Sequence, residues 1–377
     1  MLVVASGAWG AFWGAWSALV PTVVAANHLA PAALGSVLTA VPVGAIPAMV
    51  LVGRIAVGRE YRTLCCAIVA MSAAVLLLAL ATGLAALAAA LFAVGATSGA
   101  VDVCLNAATA RHERETTAAH FQTVHAAFPI GVIAAAPITG FAVQQGTGAR
   151  VVLIACAVLL TVTGLPLLRS MSGRRVTDAG PPPGGSGSRG RVRSRWLLGV
   201  ALGVLGGCVL VVENAVEQWS VLLLEGTRGA APAPASAAPA VYMAAATGAR
   251  LVVRWVPRLG VRRLTVLAAL GGGAGITVAA LASSVPVSLL GFGLAGLAYG
   301  PLMPALLSYA GARDDTGYLV SVASAVSYGA FLISPVYVGT LTRWASLPVA
   351  LASLAVMAVP LLASAGASAA RANHVNR

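Results

Sequence analysis

The sequence predicts an all-α integral membrane protein with twelve transmembrane helices in two pseudo-symmetric six-helix halves. Three observations carry that expectation. Only 9% of the 377 residues are charged and 59% are hydrophobic, with a mean hydropathy of +0.92, so the chain lacks the polar side chains a soluble globule needs for its surface. Apolar runs long enough to cross a hydrocarbon core about 30 Å thick recur along the whole chain. A flexible Pro/Gly/Ser/Arg segment, SMSGRRVTDAGPPPGGSGSRGRVRSR at 170–195, divides those runs six and six, giving an N-terminal half at 1–169 and a C-terminal half at 196–377.

The runs fall in order at residues 2–26, 34–53, 63–82, 85–110, 120–143 and 150–168 before the linker. After it come 196–222, 238–256, 263–283, 287–311, 317–341 and 346–366. The first run lacks the basic n-region and short h-region of a cleavable signal peptide, so it is expected to persist as a span. Arginines punctuate alternate ends of the others. Arg54, Arg59 and Arg62 follow span 2, Arg111 and Arg114 follow span 4, and a dense set from Arg169 to Arg195 lies between spans 6 and 7. Arg254, Arg258, Arg262 and Arg263 follow span 8, Arg313 follows span 10, and Arg371 and Arg377 close the chain. The opposite ends carry only Arg150, Arg228 and Arg343. Positive residues concentrate in cytoplasmic loops, so both termini are expected in the cytoplasm of a bacterial cell, with the protein multi-pass in its membrane.

Dispersal of the +13 net charge over membrane-flanking loops points to anionic lipid headgroups and excludes nucleic acid as its meaning. The five cysteines all fall within spans, show no metal spacing and read as small core residues. There is no lysine and no phosphate-cradling glycine loop, so neither an enzyme nor an ATP-driven pump is expected, and no cofactor or metal is implied. Energy for any transport would come from an ion gradient.

The two halves repeat each other. LFAVGATSGAVDVCLNAATA (91–110) resembles GFGLAGLAYGPLMPALLSYA (291–310), with Gly99 on Gly300; AAFPIGVIAAAPITG (126–140) resembles SAVSYGAFLISPVYVG (324–339), with Gly131 on Gly329. GRIAVGREYR (53–62) and RWVPRLGVRRL (254–264) stand after spans 2 and 8. These features resemble the major facilitator superfamily, whose loop after span 2 usually carries an Asp where this chain has Val57 and a second Gly where it has Glu60. FWGAWSALVPTV (12–23), VDVCLNAATARHE (101–113), VHAAFPIG (124–131), VENAVEQWSVLLL (212–224) and SYGAFLISPVYVG (327–339) resemble its sugar-permease-like, fucose-permease-related branch of bacterial inner-membrane permeases. The resemblance implies the major facilitator fold, alternating access and a sugar or sugar-like solute bound at the midplane between the halves.

Candidate site residues follow from polarity inside the spans. Positions 102, 106, 109 and 113 are spaced 4, 3 and 4 apart, so Asp102, Asn106, Thr109 and Glu113 share one helix face. At 1.5 Å per residue, Asp102 lies roughly 25 Å from the outer end of span 4 and His125 roughly 8 Å from the inner start of span 5, levels at which they could meet. In the repeat, Asp102 falls on Met303, Asn106 on Leu307 and His125 on Ala323, so the fold builds the same corner once without polar groups. Ionisable groups in a span are expensive and mark pathways; a structural polar contact between helices is the competing reading. Asp102 and Glu213 are accordingly the expected proton-coupling pair. Asn106, His125 and Glu217 are candidate solute ligands, with Trp13, Trp16 and Trp219 as possible stacking faces for a sugar ring. Glu213, Glu217 and Ser220 form a second polar stripe, expected toward the outside. Arg54, Arg62, Arg250, Arg254, Arg262 and Glu113 are cytoplasmic gate candidates, Arg250 through backbone carbonyls or an acidic partner.

The function expected from the sequence is therefore proton-coupled symport of a small polar solute by a monomer. The alternatives are a drug or metabolite exporter of the same fold, and a transporter-like sensor that binds solute without moving it.

Overall fold

The computed structural model describes residues 1–56, 58–116, 121–167, 189–253, 255–256, 259–314 and 318–375. Among these residues there are twelve helices long and apolar enough to cross a membrane and no strand. The physical reason is general: hydrocarbon offers the backbone no hydrogen-bond partner, and a helix satisfies its own N–H and C=O groups internally. The spans are α1 (Leu2–Ala26), α2 (Pro31–Ala56), α3 (Glu60–Leu80), α4 (Leu84–Glu113), α5 (Gln122–Gln144) and α6 (Ala149–Leu167), then α7 (Arg193–Arg228), α8 (Pro232–Val253), α9 (Val261–Leu281), α10 (Val285–Gly311), α11 (Tyr318–Leu341) and α12 (Leu347–Gly366). Most of the linker, 170–188, lies outside the described residues, as do Val57 and the gate candidate Arg254.

Helices in the first half are continuous, whereas several in the second are broken. The helix containing α4 runs unbroken from Leu84 to Thr116. Its repeat counterpart α10 breaks at Gly300 and Pro301, between Val285–Tyr299 and Leu302–Gly311. Proline supplies no backbone N–H, so Pro301 and Pro304 each remove one helical hydrogen bond. In α9 a π-helical turn, Ala268–Gly272, lets the Tyr299 ring seat against Gly272.

The described chain forms two compact units that cut across the six-and-six sequence division. One comprises Met1–Asp178, Glu217–Ala240 and Pro335–Trp344; the other comprises Ala179–Val216, Val241–Ser334 and Ala345–Arg377. In the first unit α1 packs along α5 and α2 along α4. The later segments join this unit through small residues: a Cβ on Gly35 would come within 2.5 Å of Gly339 Cα and 2.7 Å of the Pro335 carbonyl oxygen. The Ala233 N–H also donates to Gln144 Oε1 at 3.2 Å. In the second unit the two segments of α9 flanking the π turn pack against α10 and α12.

The repeat is visible as one packing corner built twice. A Cβ on Gly99 would come within 2.7 Å of the Ala45 carbonyl oxygen, and one on Gly300 within 2.6 Å of the Ala246 carbonyl oxygen. Each contact joins residues 54 apart in the chain. Only a residue without a side chain lets the two backbones approach so closely.

Candidate functional site

Asp102 and Asn106 stand one turn apart on α4, both partly exposed, and the Asn106 amide donates to Asp102 Oδ1 at 3.0 Å. Thr109, next on the same face, is fully buried and turns its hydroxyl back to the Leu105 carbonyl at 2.7 Å. One turn the other way is Ser98. Its hydroxyl oxygen accepts the indole N–H of Trp9 at 2.9 Å and that of Trp13 at 3.2 Å. Trp9 also packs on Phe128 of α5, with ring centroids 4.7 Å apart. Within the first unit the α4 stripe therefore runs Ser98, Asp102, Asn106 with two tethered indoles beside its upper end.

Asp102 has Asn106 as its hydrogen-bond partner and no cationic partner among the described residues. His125 is exposed on α5 and makes no hydrogen bond or ion pair with Asp102, so the meeting expected from their similar depth does not occur here. Trp9 and Ser98 were not picked out by sequence reasoning. The i, i+4 spacing of Trp9 and Trp13, matched by Ser98 and Asp102 one turn apart, was the available signal.

The second unit holds a different charge arrangement. Arg250 Nη2 lies 3.4 Å from Glu213 Oε2, and Arg250 Nε donates to the Gly300 carbonyl at 2.9 Å. That carbonyl is available for a local reason. In an unbroken helix it would accept the N–H of residue 304, which is proline and has none. Arg250 thus joins α7, α8 and the broken α10. Both kinds of partner expected for Arg250 are present.

Glu213 lies deeper than the sequence suggested. Helix α7 continues to Arg228, six residues past the expected end at 222, so Glu213 sits 15 residues, about 22 Å, from that end. Its pairing with Arg250, three residues before Val253 closes α8, puts it toward the arginine-rich ends of the spans. The Glu213, Glu217 and Ser220 stripe is also divided. Glu213 belongs to the second unit; from Glu217 onward the helix belongs to the first, where Ser17 donates its hydroxyl to the Glu217 carbonyl and Trp16 donates to Gln218 Oε1 at 3.0 Å.

Those contacts change the expected role of two tryptophans. Trp16 is 1% exposed and Trp219 is fully buried, so neither offers an open ring face in this conformation, whereas Trp13 is partly exposed. The Nε1 of Trp219 and the hydroxyl of Ser220 are buried without a partner among the described residues. Glu217 is partly exposed.

Of the gate candidates, Arg54, Arg62 and Arg262 are exposed, and Arg262 donates to the Ala365 carbonyl at 3.3 Å. Glu113 is partly exposed. The strongest contact at this end was missed because it uses Glu60, noted only as a departure from the family loop. Glu60 Oε2 pairs with Arg111 Nη1 at 2.9 Å, both side chains 11% exposed, while its other oxygen accepts the Gly58 N–H at 2.9 Å. Arg111 also pairs with Glu115 at 2.7 Å and lies over the Tyr61 ring. A carboxylate at 60 therefore ties the loop after α2 to α4. In the second unit Asp314, 3% exposed, similarly accepts the Leu319 N–H at 2.9 Å and faces Arg195 at 3.6 Å.

Comparison with known proteins agrees with this architecture. The model of the Major Facilitator Superfamily matches residues 1–313. The chain belongs to that superfamily. An uncharacterised MFS-type transporter of Yersinia pestis is 28% identical over 364 residues, covering 94% of this chain and 91% of the relative. Among solved structures, a point mutant of the nucleoside transporter NupG superposes with a TM-score of 0.76 at 13% identity, over 97% of this chain and 98% of that one. A bacterial homologue of the human lysosomal transporter Spinster, inward-facing and unoccupied, superposes with a TM-score of 0.71 at 14% identity, over 97% and 94% of the two chains. At such identities the likeness is one of fold. This major facilitator chain is a multi-pass membrane transporter by family.

Proposed function

We propose that the chain is a proton-coupled secondary transporter that carries a small polar solute across the bacterial cytoplasmic membrane by alternating access, with Asp102 as the coupling group. One observation supports this above the others: Asp102 is a carboxylate inside an apolar span whose hydrogen-bond partner is the neutral Asn106 and which no described cation neutralises. An ionised carboxylate so placed costs several kcal/mol, and a proton is the simplest way to relieve it. Glu213 is the weaker candidate for coupling, because its carboxylate already faces a cation, Arg250, at 3.4 Å. It serves better as the anchor of Arg250 at an inner gate with Arg54, Arg62, Arg254, Arg262 and Glu113. The alternation of arginine-rich and arginine-poor loops supports cytoplasmic termini, and a monomer with anionic headgroups at its basic loops is the working unit we propose.

The test is proteoliposome transport. Under an imposed pH gradient, hexoses, nucleosides and small amines are screened for solute-driven proton movement with an internal pH dye. A responding solute should accumulate in wild-type vesicles. Asp102→Asn should abolish gradient-driven accumulation while leaving counterflow exchange largely intact; persistent accumulation in that variant would remove Asp102 from the mechanism. For topology, cysteine labels in the 170–195 linker should react only from the cytoplasmic side of the membrane.

A further inference from the structure

Two polar groups beside the pair of Arg250 and Glu213 have no bond to explain them. Asn214 follows Glu213 on α7, and Thr247 lies one turn from Arg250 on the same face of α8, so both stand close to that pair within the second unit. Asn214 Oδ1 and Thr247 Oγ1 are each buried from solvent with no hydrogen-bond partner among the described residues. Thr247 departs from the habit of the other helical threonines. Thr97, Thr109, Thr161, Thr265 and Thr277 all turn their hydroxyls back to the carbonyl four residues earlier, at 2.7–2.9 Å, which satisfies the group locally. Thr247 makes no such bond to Met243.

An orphaned buried polar atom costs free energy, so each calls for an occupant. Ser288 and Tyr299 of the same unit also carry orphaned hydroxyls, but those residues are wholly buried, whereas Asn214 and Thr247 are partly exposed and within reach of a solute. The character of the patch limits what could fill it. Arg250 and Glu213 face each other with opposite charges, so the four residues together carry no net charge. Asn214 Oδ1 only accepts, the Thr247 hydroxyl donates and accepts, and Arg250 Nη1 is a donor engaged by neither Glu213 nor the Gly300 carbonyl. A hydroxyl, donor and acceptor in one small neutral group, meets all three.

We infer that Asn214 and Thr247 are solute ligands in the second half and set its specificity. They select an uncharged solute with adjacent hydroxyl groups, one donating to Asn214 Oδ1 and the next bonded to Thr247 Oγ1, with Arg250 Nη1 donating to either. The pair of Arg250 and Glu213 stays intact and holds the two helices that carry these ligands. This rests on the chain binding a small polar solute, and adds which residues of the second half read it.

Neutral and charged polyols test this on purified full-length protein in detergent: myo-inositol, D-ribose and D-glucose against glucosamine and gluconate. At least one neutral member should raise the melting temperature, and by more than either charged one. Thr247→Val and Asn214→Leu each remove an orphaned atom with little change of shape, so without solute both variants should melt no lower than wild type. With solute, the midpoint concentration of the response should rise about tenfold in each, the worth of one hydrogen bond. Thr247→Ser keeps the hydroxyl and should keep the response. A variant that melts lower without solute would show that the group is already bonded in the resting protein, and would overturn its role as a ligand. So would a response of wild-type strength in either variant, a stronger response to a charged member, or none from any neutral member at high millimolar concentration. Accumulation in vesicles that depends on Asp102 and that neither variant weakens would overturn the inference while leaving coupled transport standing. Binding that depends on both residues, without any uptake, would support the site and sink the transport reading instead.

Discussion

The corner at Gly99 and the corner at Gly300 are the same packing with opposite electrostatics. In the first, Met49 of α2 lies against Gly99, its Cγ 3.0 Å from where a Cβ would stand, and the charge is Asp102 on the other helix. In the second, the residue in the place of Met49 is Arg250, bonded to the Gly300 carbonyl, and the place of Asp102 is taken by Met303. Among the described residues one corner holds a carboxylate with no paired cation; the other holds a cation paired with Glu213. Close backbone packing fixes the architecture and leaves the polarity of the flanking positions free. A group whose charge the protein neutralises can be explained by structure alone, whereas Asp102 asks for a proton or a ligand.

The largest effect should come from breaking the shared geometry. Gly99→Val and Gly300→Val each push a side chain into a carbonyl, and overpacking against backbone costs about 3 kcal/mol or more. Both should lose most of their folded yield in fluorescence size-exclusion chromatography. If one is tolerated, the two corners are not equivalent.

Next in size is the conversion of the second corner toward the first. Arg250→Met leaves Glu213 without its cation, and because the arginine side chain is 33% exposed, the loss should be about 2 kcal/mol, below that of a fully buried pair. Adding Glu213→Gln should recover much of it in thermal melts. A double variant no better than the single would mean that Arg250 acts through Gly300 rather than through Glu213. Glu60→Gln is the reference for a better-buried pair, expected to cost about 3 kcal/mol at Arg111.

The smallest stability change has the opposite sign. Asp102→Met installs the residue its own repeat uses, removing an uncompensated carboxylate, and should raise stability by about 1 kcal/mol while abolishing gradient-driven transport. A variant that is destabilised instead would make Asp102 a structural group.

Much of this protein was legible in its sequence because lipid imposes simple rules. Twelve helices follow from run length and from the need of every span to satisfy its own backbone, and the repeat glycines marked the two equivalent corners before any contact was known. The α4 stripe of Asp102 and Asn106 followed from helical spacing alone. Partner choice did not, because it depends on which helices lie side by side and at what depth. The packing of α7 against α8 placed Glu213 beside Arg250, and Pro304 freed a carbonyl for the same arginine. Trp16 met Gln218, 202 residues away, and became buried. Glu60 found Arg111 across a loop whose usual acidic position is valine. Spacing along one helix fixes a face; only tertiary packing decides what that face touches, and so which carboxylates are neutralised and which remain to bind.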